Sequence, residues 1–368
     1  MPAPRAPLAA TLALLLAPAA AGAEESLFVD PLDGAFDVDR FLASRYGFLP
    51  IAAPITEPAL GYGVAGGLVF LHGKLGGEQA PDGRRIPPSI SAAIGFATSN
   101  GSWGAFGGHL GHWSDGTIRS AGGAGYTDLH LTAYPSDGTR IRFQVKAAPV
   151  VEDLTFRIAG TDLMVGGRYV FAATRASLEA DGAPVGVTGR ELDVNLSGIG
   201  PVLRWDSRDG IFSPDVGVRA EAAASFFARW LGSDAEFWRV RVRENSYAKL
   251  ASWLDAGLRL DVQFSGDDVP FWAKPYIALR GIPAMRYQGS QTFVAETEER
   301  VDFTPRWSAV AFAGYGVAAG VPSPQTAWNA GGGFRYLIAR QFKIRVGIDV
   351  ARGPEDWAWY VVFGNAWA

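Results

Sequence analysis

Apolar and polar residues alternate strictly along much of this chain. In LDAGLRLDVQF, residues 254 to 264, Leu254, Ala256, Leu258, Leu260, Val262 and Phe264 are separated by Asp255, Gly257, Arg259, Asp261 and Gln263. A period of two places successive side chains on opposite faces of a β-strand, so one face is apolar and the other polar. A helix needs apolar residues at i, i+3, i+4 and i+7, which this stretch lacks. RIRFQVKA alternates Ile141, Phe143, Val145 and Ala147 with Arg140, Arg142, Gln144 and Lys146. FWRVRVRE does the same with Trp238, Val240 and Val242 against Arg239, Arg241 and Arg243, and FKIRVGIDV repeats the pattern from Phe342 to Val350.

Two architectures use such strands. In a soluble sandwich the apolar face packs on a second sheet; in a membrane barrel it meets lipid, and the polar face lines the lumen. The N-terminus favours the second. Arg5, a Leu/Ala run to Pro18 and the small residues Ala21-Gly22-Ala23 read as a signal peptide over 1–23. No later apolar run is long enough for a spanning helix, so an exported chain of this kind is expected in the periplasm, outside the cell, or in an outer membrane as a barrel. From about residue 53 roughly 316 residues remain, and at about 20 residues per strand and loop they make about 16 strands. The expectation is an all-β, transmembrane, antiparallel β-barrel over 53–368, preceded by a short periplasmic or lumen-plugging segment over 24–52.

Composition narrows the chemistry. Past residue 23 there are 32 basic and 37 acidic residues, a net charge of −5 that gives no general affinity for nucleic acid. Cysteine is absent, which excludes disulfides, thiol nucleophiles and thiolate metal sites. The 46 glycines and 12 tryptophans suit a large β protein with many turns and with indoles at strand ends, where a headgroup region would hold them. Turn chemistry recurs at SNGS (99–102), SDG (114–116 and 136–138), DGAP (181–184) and SRDG (207–210). The longest loops are expected around 74–88, 176–190 and 281–297. The C-terminal WYVVFGNAW places Trp357, Trp359, Val361 and Phe363 on one face, and Phe363 and Trp367 are candidates for a C-terminal insertion signal.

Candidate catalytic groups are sparse. His109 and His112 stand three apart, and in a strand they face opposite ways, so they cannot share a metal without a turn. The carboxylate pairs Glu298/Glu299 and Asp206/Asp209 have no sequence feature that makes them an acid–base couple, and G-x-S-x-G is absent. No enzyme activity, metal or cofactor is expected.

Four segments together resemble the bacterial surface antigen (D15), or Omp85-like, outer-membrane barrel family. RWDSRDGIFSPDVG carries Asp206, Arg208, Asp209, Pro214 and Gly217. ALRGIPAMRYQGSQTFVAETEERVDFTPRWSAVAFAGYG carries Arg280, Gly281 and Ile282, then Glu298 and Arg300, then Phe312 and Gly316. GGGFRYLIARQFKIRVGIDVARG and WYVVFGNAW follow. The likeness covers roughly the last 170 residues well and the rest in rhythm. It implies a 16-stranded barrel whose sixth extracellular loop folds back into the lumen, with Arg280 and Gly281 at its tip and Ile282 where the family usually has an aromatic residue. The family's arginine pairs with an aspartate in F-x-D-x-G, and here FAGYG puts Gly314 in that place, so Glu298, Asp349 or Asp206 is the candidate partner. The family also carries POTRA modules before the barrel, for which the stretch between Ala23 and the first strand has no room.

The resemblance implies an outer-membrane protein that assists insertion or translocation of proteins or lipid, by opening the seam between first and last strands. Outer-membrane lipid and unfolded outer-membrane or secreted proteins are then the expected partners. The alternative is a passive channel or surface receptor whose basic rows, Arg140/Arg142/Lys146 and Arg239/Arg241/Arg243, line a lumen that favours anions.

Overall fold

The computed structural model describes residues 27–44, 47–81, 83–134, 140–178, 193–320 and 323–367. The signal-peptide reading and the turns at 136–138 and 181–184 lie outside these residues.

Sixteen strands form one antiparallel sheet in sequential order. They are β1 (Gly47–Ile55), β2 (Gly63–Leu71), β5 (Ile90–Thr98), β6 (Trp103–Trp113), β7 (Ile118–Ala133), β8 (Ile141–Arg157), β9 (Leu163–Leu178) and β10 (Asp193–Asp206). Then follow β11 (Gly217–Phe227), β12 (Phe237–Ala251), β13 (Leu254–Ser265), β14 (Gln291–Asp302), β15 (Trp307–Ala319), β16 (Gln325–Ala339), β17 (Ile344–Arg352) and β18 (Trp357–Phe363). A two-residue ribbon, β3 (Glu78–Gln79) with β4 (Arg85–Ile86), decorates the β2–β5 connection. The sheet curls into a nearly closed 16-stranded barrel. Every neighbouring pair has a hydrogen-bonded ladder except β1 and β18, which end the order and only approach each other.

The polarity of the alternation is settled by burial. On β14 Thr292, Val294, Glu296 and Glu298 are buried and face inward, while Gln291, Phe293, Ala295 and Thr297 are exposed. The interior holds Asp153, Asn245, Asp261, Glu296, Asn329 and Asp349, all nearly inaccessible. Ten of the twelve tryptophans expose their rings on the outside. A sandwich would bury those rings against a second sheet, and among the described residues the only other sheet has two residues per strand.

Three features differ from expectation. The barrel starts at Gly47, inside the 24–52 segment, although β1 contains Pro50 and Pro54, and prolines argue against a strand paired on both sides. β1 has a partner on one side only, and its ladder to β2 runs unbroken through both prolines. Their nitrogens, which cannot donate, therefore point to the seam. Second, the long loop spans 266–290, and 291–297 belongs to β14. Third, Arg142 and Lys146 are exposed on the outside, while Phe143 and Val145 face in and pack against Met285 of that loop. Arg142 and Lys146 therefore do not line the lumen, whereas Arg140 borders the cavity beside the loop tip with Gly281, Pro283 and Arg286. A loop filling the barrel reverses which face must be apolar at that end.

Residues 27–44 dock on the rim and do not plug the lumen. Val29 bridges Phe36, and a short helix, α1 (Asp39–Ser44), follows. Asp30, Asp33 and Asp37 converge on Arg306 in the β14–β15 turn, and Arg340 in the β16–β17 turn takes Asp30 and Asp33. These charge-assisted bonds join the segment to two neighbouring turns.

Candidate functional site

The 266–290 loop enters the barrel as a folded hairpin. The amide of Ile277 donates to the Tyr287 carbonyl (2.9 Å) and that of Gly289 to the Pro275 carbonyl (3.1 Å). A turn closed by Ile282 N–H to Leu279 O then presents Arg280 at the tip. Gly281 adopts φ +83°, and its N–H donates to the Tyr360 hydroxyl on β18 at 2.8 Å. A Cβ there would press on Gly353 and Ala351, so this position favours glycine for both conformation and space. Behind the tip, Ile277, Leu279 and Ile282 pack with Val294, Ala318 and Ala327 on the barrel wall. An aliphatic Ile282 fills this apolar corner.

Arg280 is the centre of a charge cluster. Its Nε donates to Glu296 Oε1 (3.1 Å), and its Nη1 donates to Glu298 Oε2 (2.6 Å) and Asp349 Oδ2 (3.0 Å). The guanidinium carbon stands 3.5 Å from the centroid of the Phe312 ring. Glu296 also accepts from Asn329 Nδ2 (2.8 Å) and, through Oε2, from the Trp367 indole (2.6 Å), with Arg259 at 3.5 Å. Asp349 is held by a two-point contact from Arg335. Three carboxylates thus meet three guanidiniums, and this balance lets a charged cluster persist out of water.

Of the three carboxylates proposed from sequence, Glu298 and Asp349 bind Arg280 and Asp206 does not. Asp206 is engaged by Arg208 in a bidentate pair, both bonds 2.8 Å, near the rim. The residue missed is Glu296. It stands directly opposite Gly314 in the β14–β15 register. The carboxylate that the resemblance places at 314 is supplied from the neighbouring strand, and Gly314 leaves the space: a Cβ there would lie 2.5 Å from Asn329 Oδ1 and 2.8 Å from Leu279. Gly316 is similar, since a Cβ would meet Ile277 at 2.5 Å.

The remaining motif residues gather at the rim that carries residues 27–44. Gly217 has φ +109°, and a Cβ would lie 2.4 Å from the Ser207 carbonyl. Pro214 is buried in the β10–β11 loop. That loop is tied down by Lys343 Nζ, which bonds Asp209 (2.6 Å) and Asp215 (2.7 Å), and by Arg300, which bonds Asp215 (2.5 Å) and Asp255 (2.6 Å). Burial raises the carboxyl pKa of Asp215, but the bonds from Lys343 and Arg300 outweigh it and bring it to about 2 from 3.8. A depressed carboxylate stabilises the fold fully above its unfolded value and loses that contribution as pH falls through its folded one. The difference in unfolding midpoint between wild type and Asp215→Asn is therefore expected to stay constant from pH 8 to about pH 5 and to vanish near pH 2. Thermal unfolding of the two proteins across that range measures it.

The chain end joins the same cluster. β18 stops at Phe363, whose ring faces outward, and Gly364 (φ +74°) turns the chain away from the wall. Trp367 then lies inside, 6 % exposed, its ring against Tyr247 and Gly257 and its carbonyl accepting from Asn245 Nδ2 (3.3 Å). Phe363 and Trp367 therefore occupy different environments. His109 bonds Ser91, which also bonds His72, and no group of three metal-ligating side chains forms among the described residues.

No protein-family model and no curated protein matches the chain. Solved barrels do. BamA from Haemophilus ducreyi lacking POTRA domains 1–3 superposes with TM-score 0.59 at 11 % identity, over 87 % of this chain and 70 % of that one. CdiB from Acinetobacter baumannii gives 0.57 at 13 % identity, over 86 % and 59 %. CdiB from Escherichia coli gives 0.61 at 12 % identity, over 87 % and 63 %. The chain thus spans about six-tenths of the length of both CdiB structures, and at these identities what it shares with all three is the fold of the barrel.

Proposed function

We propose that this protein is an outer-membrane barrel of Omp85 type that assists insertion or translocation of other proteins, or of lipid, through the seam between β1 and β18. The observation that carries the reading is the missing ladder between those strands in a barrel otherwise paired throughout. An unpaired edge offers backbone donors and acceptors to an incoming strand. β18 is only seven residues long, and the prolines of β1 remove two donors, so little holds the seam shut. The exposed apolar belt suits lipid, and the 266–290 loop supports β18 from inside through Tyr360. In this reading the partners are outer-membrane lipid and unfolded outer-membrane or secreted proteins.

Because the chain has no cysteine, the seam can be stapled selectively. Tyr62 and Trp359 stack across it with ring centroids 6.2 Å apart. Cells relying on a Tyr62→Cys/Trp359→Cys chain are expected to lose newly assembled outer-membrane proteins when a short, reducible bis-maleimide is added, and to recover them on reduction. An outer membrane unchanged by the staple, and unchanged by depletion of the protein, contradicts the assembly role. The passive-channel reading predicts a steady ohmic current in planar bilayers. A loop locked in the lumen predicts a low, flickering one.

A further inference from the structure

The wall formed by β7 to β12, opposite the seam, carries more guanidinium than carboxylate. Arg168 and Arg204 share Asp153 and Glu221, Arg208 takes Asp206, and Arg241 takes Asp261. Three arginines remain. Arg119 on β7, Arg219 on β11 and Arg239 on β12 form no side-chain hydrogen bond or ion pair among the described residues, and Arg119 Nε is buried without an acceptor; Arg119 and Arg219 are the two that lie near Asp206. Asp206, already held by Arg208, acts on Arg119 together with the repelling charges of Arg204, Arg157 and Arg219, so Arg119 and Arg219 share one cluster in which cations outnumber carboxylates.

The field opens into empty space. A cavity of about 560 Å³ lies between the β2–β5 and β10–β11 connections and is lined by Arg119, Arg157, Arg204 and Arg208. Its carboxylates, Asp162, Asp206 and Asp209, are already taken by Arg157, Arg208 and Lys343. A second cavity of about 90 Å³ is lined by Arg168, Arg219, Arg241 and Arg243, with Glu221 as its only carboxylate. Arg219 stands opposite Asp206 in the β10–β11 register, which places the two cavities side by side. Guanidinium withdrawn from water without an anion is unfavourable, and its planar donors match the oxygens of a phosphate. A phosphate offers oxygens in several directions to two guanidiniums, where a carboxylate offers two in one plane, and a free phosphate also carries about two negative charges.

We propose that this vestibule is a binding site for a phosphate group, either on an anionic phospholipid headgroup or as a free phosphate, held by Arg119 and Arg219. The proposal does not depend on whether the barrel assembles proteins or conducts. Protein purified in a non-ionic, phosphate-free detergent is titrated calorimetrically with sodium pyrophosphate. In parallel, native mass spectrometry scores adducts of phosphatidylglycerol against phosphatidylcholine. Wild type is expected to bind one of the two probes saturably: pyrophosphate binding identifies a site open to soluble anions, and phosphatidylglycerol adducts alone identify a headgroup site. Arg119→Gln/Arg219→Gln should weaken that binding at least tenfold, whereas Arg142→Gln/Lys146→Gln, on the outer face, should leave it unchanged. The bound probe should also raise the unfolding temperature of wild type, a readout that survives even if the double variant folds poorly. Wild type that binds neither probe, or binding that the Arg119/Arg219 substitutions leave intact, overturns the proposal.

Discussion

Arg280→Ala is expected to free the 266–290 loop and to destabilise the barrel by about 3–5 kcal/mol, the range for removing one partner of a buried ion pair. The size follows from what remains. Glu296, Glu298 and Asp349 would face one another with Arg335 and Arg259 as their only cations, and the Phe312 ring would lose its charge. Arg280→Lys should fall in between, since an ammonium keeps the charge but cannot span three carboxylates as the guanidinium does. Trypsin provides the readout, because the loop carries Arg286, whose bond to Tyr287 is a trypsin site in both proteins. Wild type should resist cleavage there and Arg280→Ala should be cut. Equal resistance of the two proteins would mean that the apolar packing of Ile277, Leu279 and Ile282 holds the loop without the ion cluster.

Trp367→Ala has a comparable expected effect, about 3–5 kcal/mol, the range for truncating a buried tryptophan. The ring is enclosed by Tyr247 and Gly257, and its N–H satisfies Glu296. Trp367→Phe keeps much of the packing and loses the donor, so a loss of about 1–3 kcal/mol is expected. Urea unfolding of protein already folded in lipid separates two roles for this residue. If Trp367 served only as an insertion signal read before folding, its variants would lower the yield of folded barrel and leave the unfolding midpoint unchanged. The contacts in the lumen predict a lowered midpoint.

The strands were legible because each carries its own alternation, a local signal, and Leu254 to Phe264 falls on β13. The parts that were misread depend on neighbours. Glu296 and Gly314 are eighteen positions apart, and nothing local shows that they stand face to face; that follows from the β14–β15 register. RIRFQVKA has the same alternation as the other strands, yet its apolar side turns inward because a distant loop occupies the lumen there. β1 was hidden by Pro50 and Pro54, which are compatible with a strand only when one of its edges has no partner. The inward turn of the chain end could have been suspected from Gly364, whose φ of +74° is a glycine conformation. The destination of Trp367 could not.

All of this rests on the outward apolar belt touching lipid. Tryptophan fluorescence of the protein refolded into vesicles of phosphatidylcholine brominated near the headgroup tests it directly, since bromine quenches only indoles in contact with the acyl region. With ten of twelve rings on the outside, most of the emission should be lost relative to unbrominated vesicles, and a buried remnant including Trp367 should persist. Emission indifferent to bromine, from a chain that stays dissolved as a compact monomer without detergent, would contradict the account.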